Sequence, residues 1–207
     1  MRIRQVFLRG VVADPHPCVR IRGRLDELHL SQATIDGSCG LIAVLQAAML
    51  LAGISRAQIL ALTTTRQPML RRFWKAASVS YFHGATAMQL VGHVGAFEPK
   101  LRGRAIRLRR LAHAGMLVQT LLDAGTVPIA GFSGVGFSHW SLVVGLERDA
   151  RGAFTAILLL DPSVPPPTLA LFNARLDLGE RRARYAKVGE EPCQVRLVEF
   201  VVVRRAA

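Results

Sequence analysis

The sequence predicts an α+β protein, with a mainly helical first half followed by a mainly antiparallel sheet, on three observations. An apolar run of helical length opens at Cys39, further helix starts follow it up to position 125, and beyond that point β-branched and apolar segments alternate with turn residues. The chain has 207 residues, 51% of them hydrophobic, enough for one well-buried core, and its composition shows no break. A single domain is therefore expected over 1–207, made of an N-terminal ribbon (1–30), a helical half (31–124) and a sheet half (125–207).

Taken in order, two short alternating segments at 3–8 and 19–22 flank the turn-forming DPHP at 14–17 and read as the two arms of the ribbon. The first helix spans 39–51 and stops at Gly53. Ser55 with Gln58 is a capping box for a second short helix, because each side chain can satisfy the other residue's open backbone N–H. A third helix follows Pro68 and carries Phe73 and Trp74. Thr86 with Gln89 is another capping box, for a helix through Val94, and a last helix covers about 112–122 before Gly125. The segments VPIAGF, HWSLVVGLE, FTAILLLD and VRLVEFVVV then read as strands, and PSVPPP at 162–167 as a loop leaving the sheet.

The 27 basic residues, 24 of them arginine, outnumber 14 acidic ones and leave a formal charge of +13. Such an excess suits an acidic partner, but it also follows from a biased genome, and the chain is rich in alanine and glycine too. The densest cluster, Arg102, Arg104, Arg107, Arg109 and Arg110, has no aromatics interleaved for base stacking, so a solvated basic face is expected and a nucleic-acid partner is not. The most apolar stretch, 39–53, is shorter than the ~20 residues a membrane span needs and contains Gln46, so it reads as a buried helix. The N-terminus lacks an apolar run of signal-peptide length, which points to the cytoplasm or to export without a Sec signal. Three cysteines without C-x-x-C spacing argue against a disulfide framework and against zinc, and His16, His29, His83, His93 and His113 lack ligand spacing and read as surface or packing. No metal and no cofactor are expected.

The chemistry centres on SQATIDGSCG at 31–40, where a Gly/Ser turn delivers Cys39 to the first turn of an apolar helix. Open backbone N–H groups and the positive end of the helix dipole stabilise a thiolate there, as does a nearby imidazolium. The alternative is a small buried cysteine that merely opens a helix. Gln32 lies seven positions earlier, so a turn between the two can return its amide beside the thiol. With the Cys39 backbone N–H it would then supply two donors to an oxyanion, each worth roughly 3 to 4 kcal/mol.

His139 stands at the mouth of a strand after the glycine-rich GFSGVGFS. Those glycines are in the wrong order for a dinucleotide fingerprint, and a strand follows them instead of a helix. Alternation puts His139, Ser141 and Val143 on one face and Trp140, a packing residue, on the other. If 148–152 forms a five-residue hairpin loop, Glu147 faces Ala153 and His139 faces Asp161 directly, with Cβ atoms about 4.5 to 5.5 Å apart. A carboxylate beside the imidazole would fix its tautomer and orientation. Asp161 is otherwise a turn residue before Pro162.

The order Gln32, Cys39-Gly40, His139-Trp140, Asp161-Pro162 resembles the papain-like cysteine peptidases, and most closely the bacterial branch that includes bacteriocin-processing peptidases, which remove double-glycine leaders. The resemblance spans residues 31–162 and is closest from Leu121 to LLLDPS; the glutamine stands one residue farther from the cysteine than is usual, and Ser38 stands where the leader-processing branch has aspartate. It implies a papain-like fold, a Cys helix packed on an antiparallel sheet that carries His and Asp, and a peptide or protein substrate cleaved through a Cys39 thioester. His139 would be general base and acid, Asp161 would orient it, and Gln32 would serve the oxyanion. Two alternatives stay open: acyl transfer by the same triad, and a catalytically inactive papain-like binding module with a basic surface.

Overall fold

The computed structural model describes residues 3–32, 37–179 and 181–206. In chain order the elements are β1 (Arg4–Phe7), β2 (Val11–Ala13), β3 (Pro17–Ile21), β4 (Arg24–Glu27), α1 (Cys39–Ala52), α2 (Arg56–Leu60), α3 (Pro68–Ala77), α4 (Ala87–Gly95), β5 (Leu101–Arg107), α5 (Ala114–Asp123), β6 (Val127–Gly134), β7 (Phe137–Arg148), β8 (Phe154–Leu160), β9 (Ala174–Leu178), β10 (Ala183–Lys187) and β11 (Cys193–Arg205). The architecture is mixed α/β, with helices set against one large antiparallel sheet. None of the helices among the described residues is long and apolar enough to cross a membrane.

Every pairing in the large sheet is antiparallel, and six of its strands return on themselves: β7 pairs with β6, β6 with β11, β11 with β10, β10 with β9, β9 with β8, and β8 again with β7. This closure removes the open edges of those six strands. It depends on two short strands, ARLDL and ARYAK, that are too polar to stand out in the sequence. β11 is long enough to serve three neighbours, β6 along one edge and, along the other, β10 at its start and β5 at its end.

Helix α1 is apolar on all sides and buried from Cys39 to Met49, as expected for a helix inside a core, and it ends at Gly53 in the left-handed region (φ 66°). It lies against β7 and also touches α4, β6 and β11. The capping boxes at Ser55/Gln58 and Thr86/Gln89 are both formed, and α3 starts at Pro68, where its missing N–H costs nothing.

Two expectations are corrected. The segments at 3–8 and 19–22 do not pair as a ribbon: β1 adds to the far end of β7, while β2, β3 and β4 form a separate three-stranded meander. Val6 and Phe7 have partners at Leu146 and Gly145, a long-range pairing that local turn signals do not encode. The helical half also contains a strand, β5, whose period of two places Arg102 and Arg104 outward between the inward Leu101 and half-buried Gly103 and Ala105. Its five neighbouring arginines are exposed.

Candidate active site

Cys39 is the first residue of α1 and is 5% exposed. Ser38 precedes it in a helical conformation and makes no side-chain cap to the helix backbone, so the helix start is not closed by its own N-cap. Gly37 approaches Gly84 so closely that a Cβ on it would strike the Gly84 backbone, and its N–H donates to Tyr81 O at 2.8 Å. That approach draws the 81–86 segment up beside the thiol. Trp140 Nε1 donates to Ala85 O at 2.8 Å, and its ring lies over Gly131 and beside Gly40, which ties β6, β7, α1 and the 81–86 segment together.

His139 is near the start of β7, with its side chain 11% exposed, and Asp161 is fully buried just after β8. They are not direct cross-strand partners. Leu142 faces Leu160 and Val143 faces Leu159, which continues to Ser141 opposite Asp161 and leaves His139 one diagonal step away. The Asp149 N–H bonds Ala153 O, so the hairpin loop is tighter than five residues, and irregularities at 143/145 and 147/148 move the register again. Diagonal neighbours on one face are still within reach of long side chains. The imidazole Nε2 lies 2.9 Å from Asp161 Oδ2 and 3.0 Å from Oδ1.

With Nε2 held by the carboxylate, Nδ1 is the remaining ring nitrogen, and Cys39 is the second side chain that acts on the imidazole. Burial by itself would lower the His139 pKa. The hydrogen bond the ring donates to Asp161, the interaction with Cys39 and the charges of both outweigh burial and carry the imidazole up to about 10. Asp161 shows the opposite balance: burial would raise it, but the bonds and charge from His139, with Ser163 and Tyr185, hold it at about 2. The pair is a carboxylate and an imidazolium.

Four donors surround that carboxylate: His139 Nε2, the Ser163 N–H at 2.8 Å, Ser163 Oγ at 2.7 Å, and Tyr185 OH at 2.5 Å. Burial and the Asp161 charge push the Tyr185 pKa upward, so the phenol keeps its proton and donates. The Asp161 backbone is pinned as well. Its N–H donates to Asn173 Oδ1 at 2.6 Å, and its carbonyl accepts from Asn173 Nδ2 at 2.9 Å. His29 Nε2 is a second partner of that carbonyl, at 3.0 Å; burial lowers the His29 pKa, and the neutral ring donates. His29 is thus a buried support of the site instead of a packing or surface histidine. Tyr185 and Asn173 were not singled out in the sequence either, and ARYAK and FNARL carry no motif that would have flagged them.

Two clefts meet at Gln32, Ser138 and His139. The larger, about 930 Å³, holds Cys39 between the 82–86 segment and the sheet residues Gly131, Phe132, Ser133 and Glu199. The smaller, about 300 Å³, continues past His139 to Ser163, Tyr185, Lys187 and Cys193 without touching Cys39. Gln32 lines both, and its backbone N–H donates to Pro162 O at 2.8 Å, which anchors it to the Asp161 loop. The turn expected between Gln32 and Cys39 falls on residues 33–36, outside the described residues. His83, read from sequence as surface or packing, is exposed and lines the larger cleft, while Cys18 is buried in β3. Among the described residues no group of three or more His, Cys, Asp or Glu is placed to hold a metal ion. Compared with known proteins, the chain matches no family model and no curated protein.

Proposed function

We propose that this chain is a papain-like cysteine peptidase or a related thiol amide hydrolase. One observation carries the reading: a cysteine at a helix start meets, in one cleft, an imidazole whose other nitrogen is held by a buried carboxylate. The arrangement supplies a nucleophile, a proton carrier and an orienting group in contact, the order in which thiol catalysis uses them.

In this reading the Cys39 thiolate adds to the carbonyl carbon of an amide, a C–S bond forms, and the carbonyl electrons move onto oxygen. The oxyanion is received by the Cys39 backbone N–H and the Gln32 amide. Collapse breaks the C–N bond, and His139 gives its Nδ1 proton to the departing amine. Water then adds to the thioester, His139 takes the proton of the attacking water, and a carboxylic acid leaves as the thiol is restored. Asp161 keeps the ring oriented and supports its positive charge through each cycle. The larger cleft takes the acyl side of the substrate, since it holds the nucleophile, and the smaller takes the amine side, which His139 protonates.

The test is hydrolysis of a quenched-fluorescence peptide library by wild type and Cys39→Ala. Loss of at least about 10³-fold with unchanged thermal unfolding is expected, as for removal of a nucleophile elsewhere. Equal turnover in the variant would overturn the reading.

A further inference from the structure

The larger cleft carries one carboxylate, and its surroundings set it apart. The protein carries 27 basic and 14 acidic side chains, yet among the described residues lining this cleft there is no lysine and no arginine. Glu199 lines it instead. This residue follows a β-bulge: Leu197 pairs with Phe132, Glu199 with Gly131, and Val198 is the extra residue between. Bulges of this kind re-aim the side chain that follows them.

Glu199 sits in a row of directly paired positions that crosses four strands: Arg107 on β5, Glu199 on β11, Gly131 on β6 and Trp140 on β7. On one side Gly131 contributes no side chain and the Trp140 ring lies over it, so that side brings no charge to the glutamate. On the other side Arg107 is its nearest cation by register, but the two form no ion pair, and Glu199 makes no side-chain hydrogen bond among the described residues. Other half-buried acids of the protein are engaged, Glu27 with Arg56 and Asp177 with Arg175. A carboxylate with no side-chain partner, in a cleft of this size, can accept a cation brought by a ligand.

We infer that Glu199 forms a subsite for a lysine or arginine side chain on the acyl side of the substrate, one or two residues from the scissile bond. The inference rests on the proposed thiol hydrolase reading and names the substrate class for it. Val198, half-buried beside Glu199, offers an apolar surface to the aliphatic stem of such a side chain while its charged end reaches the carboxylate.

The experiment uses acetyl-dipeptidyl vinyl sulfones, with lysine, norleucine or glutamate at either of the two positions, and reads the rate of Cys39 addition by intact mass. In wild type the lysine member at one position reacts faster than norleucine by about fivefold or more, the glutamate member is slowest, and added salt erases the lysine advantage. In Glu199→Gln the lysine-to-norleucine ratio falls to about one, and in Glu199→Lys the glutamate member overtakes the lysine member. Labelling of Cys39 at rates independent of side-chain charge would overturn the subsite and leave the thiol reading standing. Failure of every member to label Cys39 would overturn both.

Discussion

Both ends of strand β7 lie beside a buried carboxylate, and the two differ in their partners. At the far end Glu147, 4% exposed, accepts from Arg175 Nη2 and Thr155 Oγ1 at 3.0 Å and from Gln5 Nε2 at 3.4 Å. At the near end, eight residues or about 27 Å away along the strand, Asp161 accepts from His139, Tyr185 and Ser163. Arginine never gives up its proton under ordinary conditions, so the Glu147 cluster can only hold β1, β7, β8 and β9 together. Imidazole does exchange its proton, and this one lines an open cleft together with Cys39. Burial of a charge is shared by both ends. What makes one of them a candidate site is the titratable partner, the thiol in the same cleft and the open volume beside both.

Truncating the two carboxylates gives the largest expected contrast. Asp161→Ala should lower peptide hydrolysis by about 10² to 10⁴-fold, because the imidazole loses its orienting partner. It should also cost about 2–4 kcal/mol in a denaturant melt, since buried donors on Tyr185 and Ser163 lose their acceptor. Glu147→Ala should cost about 1–3 kcal/mol while changing kcat/KM less than about threefold. Equal activity losses at the two ends would erase the distinction.

Next in size is the effect of the imidazole on the thiol. Iodoacetamide should alkylate Cys39 at pH 6 at least about tenfold faster in wild type than in His139→Ala, followed by intact mass. No difference between the two proteins would mean that the imidazole does not activate the thiol.

Stability should follow the charges of the near-end pair. His139 is raised from 6.5 to about 10, so its contribution is complete below pH 6.5 and disappears as pH rises toward 10. Asp161 is depressed from 3.8 to about 2, so its contribution is complete above pH 3.8 and disappears as pH falls toward 2. The stability advantage of wild type over His139→Phe should therefore peak between about pH 4 and 6.5 and shrink by more than about 1 kcal/mol on either side, measured as urea midpoints.

Tyr185→Phe tests a finer point, because Tyr185 acts through Asp161. Removing its hydrogen bond should cost about 1 kcal/mol of stability and about three- to tenfold in kcat/KM. It should also move the acid limb of the pH–rate profile upward, since the carboxylate loses a bond that favours its charged form. A uniform drop without that shift would mark Tyr185 as packing alone.

Much of the local structure was readable because its causes are local. The capping boxes at Ser55 and Thr86 join residues three apart, Pro68 stands where a helix begins, and an apolar run followed by Gly53 defines α1 without reference to anything distant. Cys39, His139 and Asp161 could be selected for the same reason, since each stands at the end of an element whose limits the chain itself marks. Strand β5 was missed although its alternation is present, because five nearby arginines drew it toward a reading of solvated surface. The direct pairing of His139 with Asp161 was off by one diagonal step because bulges depend on both strands and on what packs over them.

By itself the sequence determined the helical and strand halves, the start and end of α1, and the residue types available for thiol chemistry, all of which rest on neighbours within a few positions. Only the tertiary structure decided the closing of six strands into a barrel, the docking of β1 on β7, and the shell of Tyr185, Ser163, Asn173 and His29 around Asp161. It also decided the placement of Glu199 in the cleft. The physical reason is the same for each. Those arrangements satisfy buried charges and backbone groups with distant partners, 132 positions away for His29 and Asp161 and 142 for Gln5 and Glu147, and such partners are selected by the packing of the whole chain, not by any segment of it.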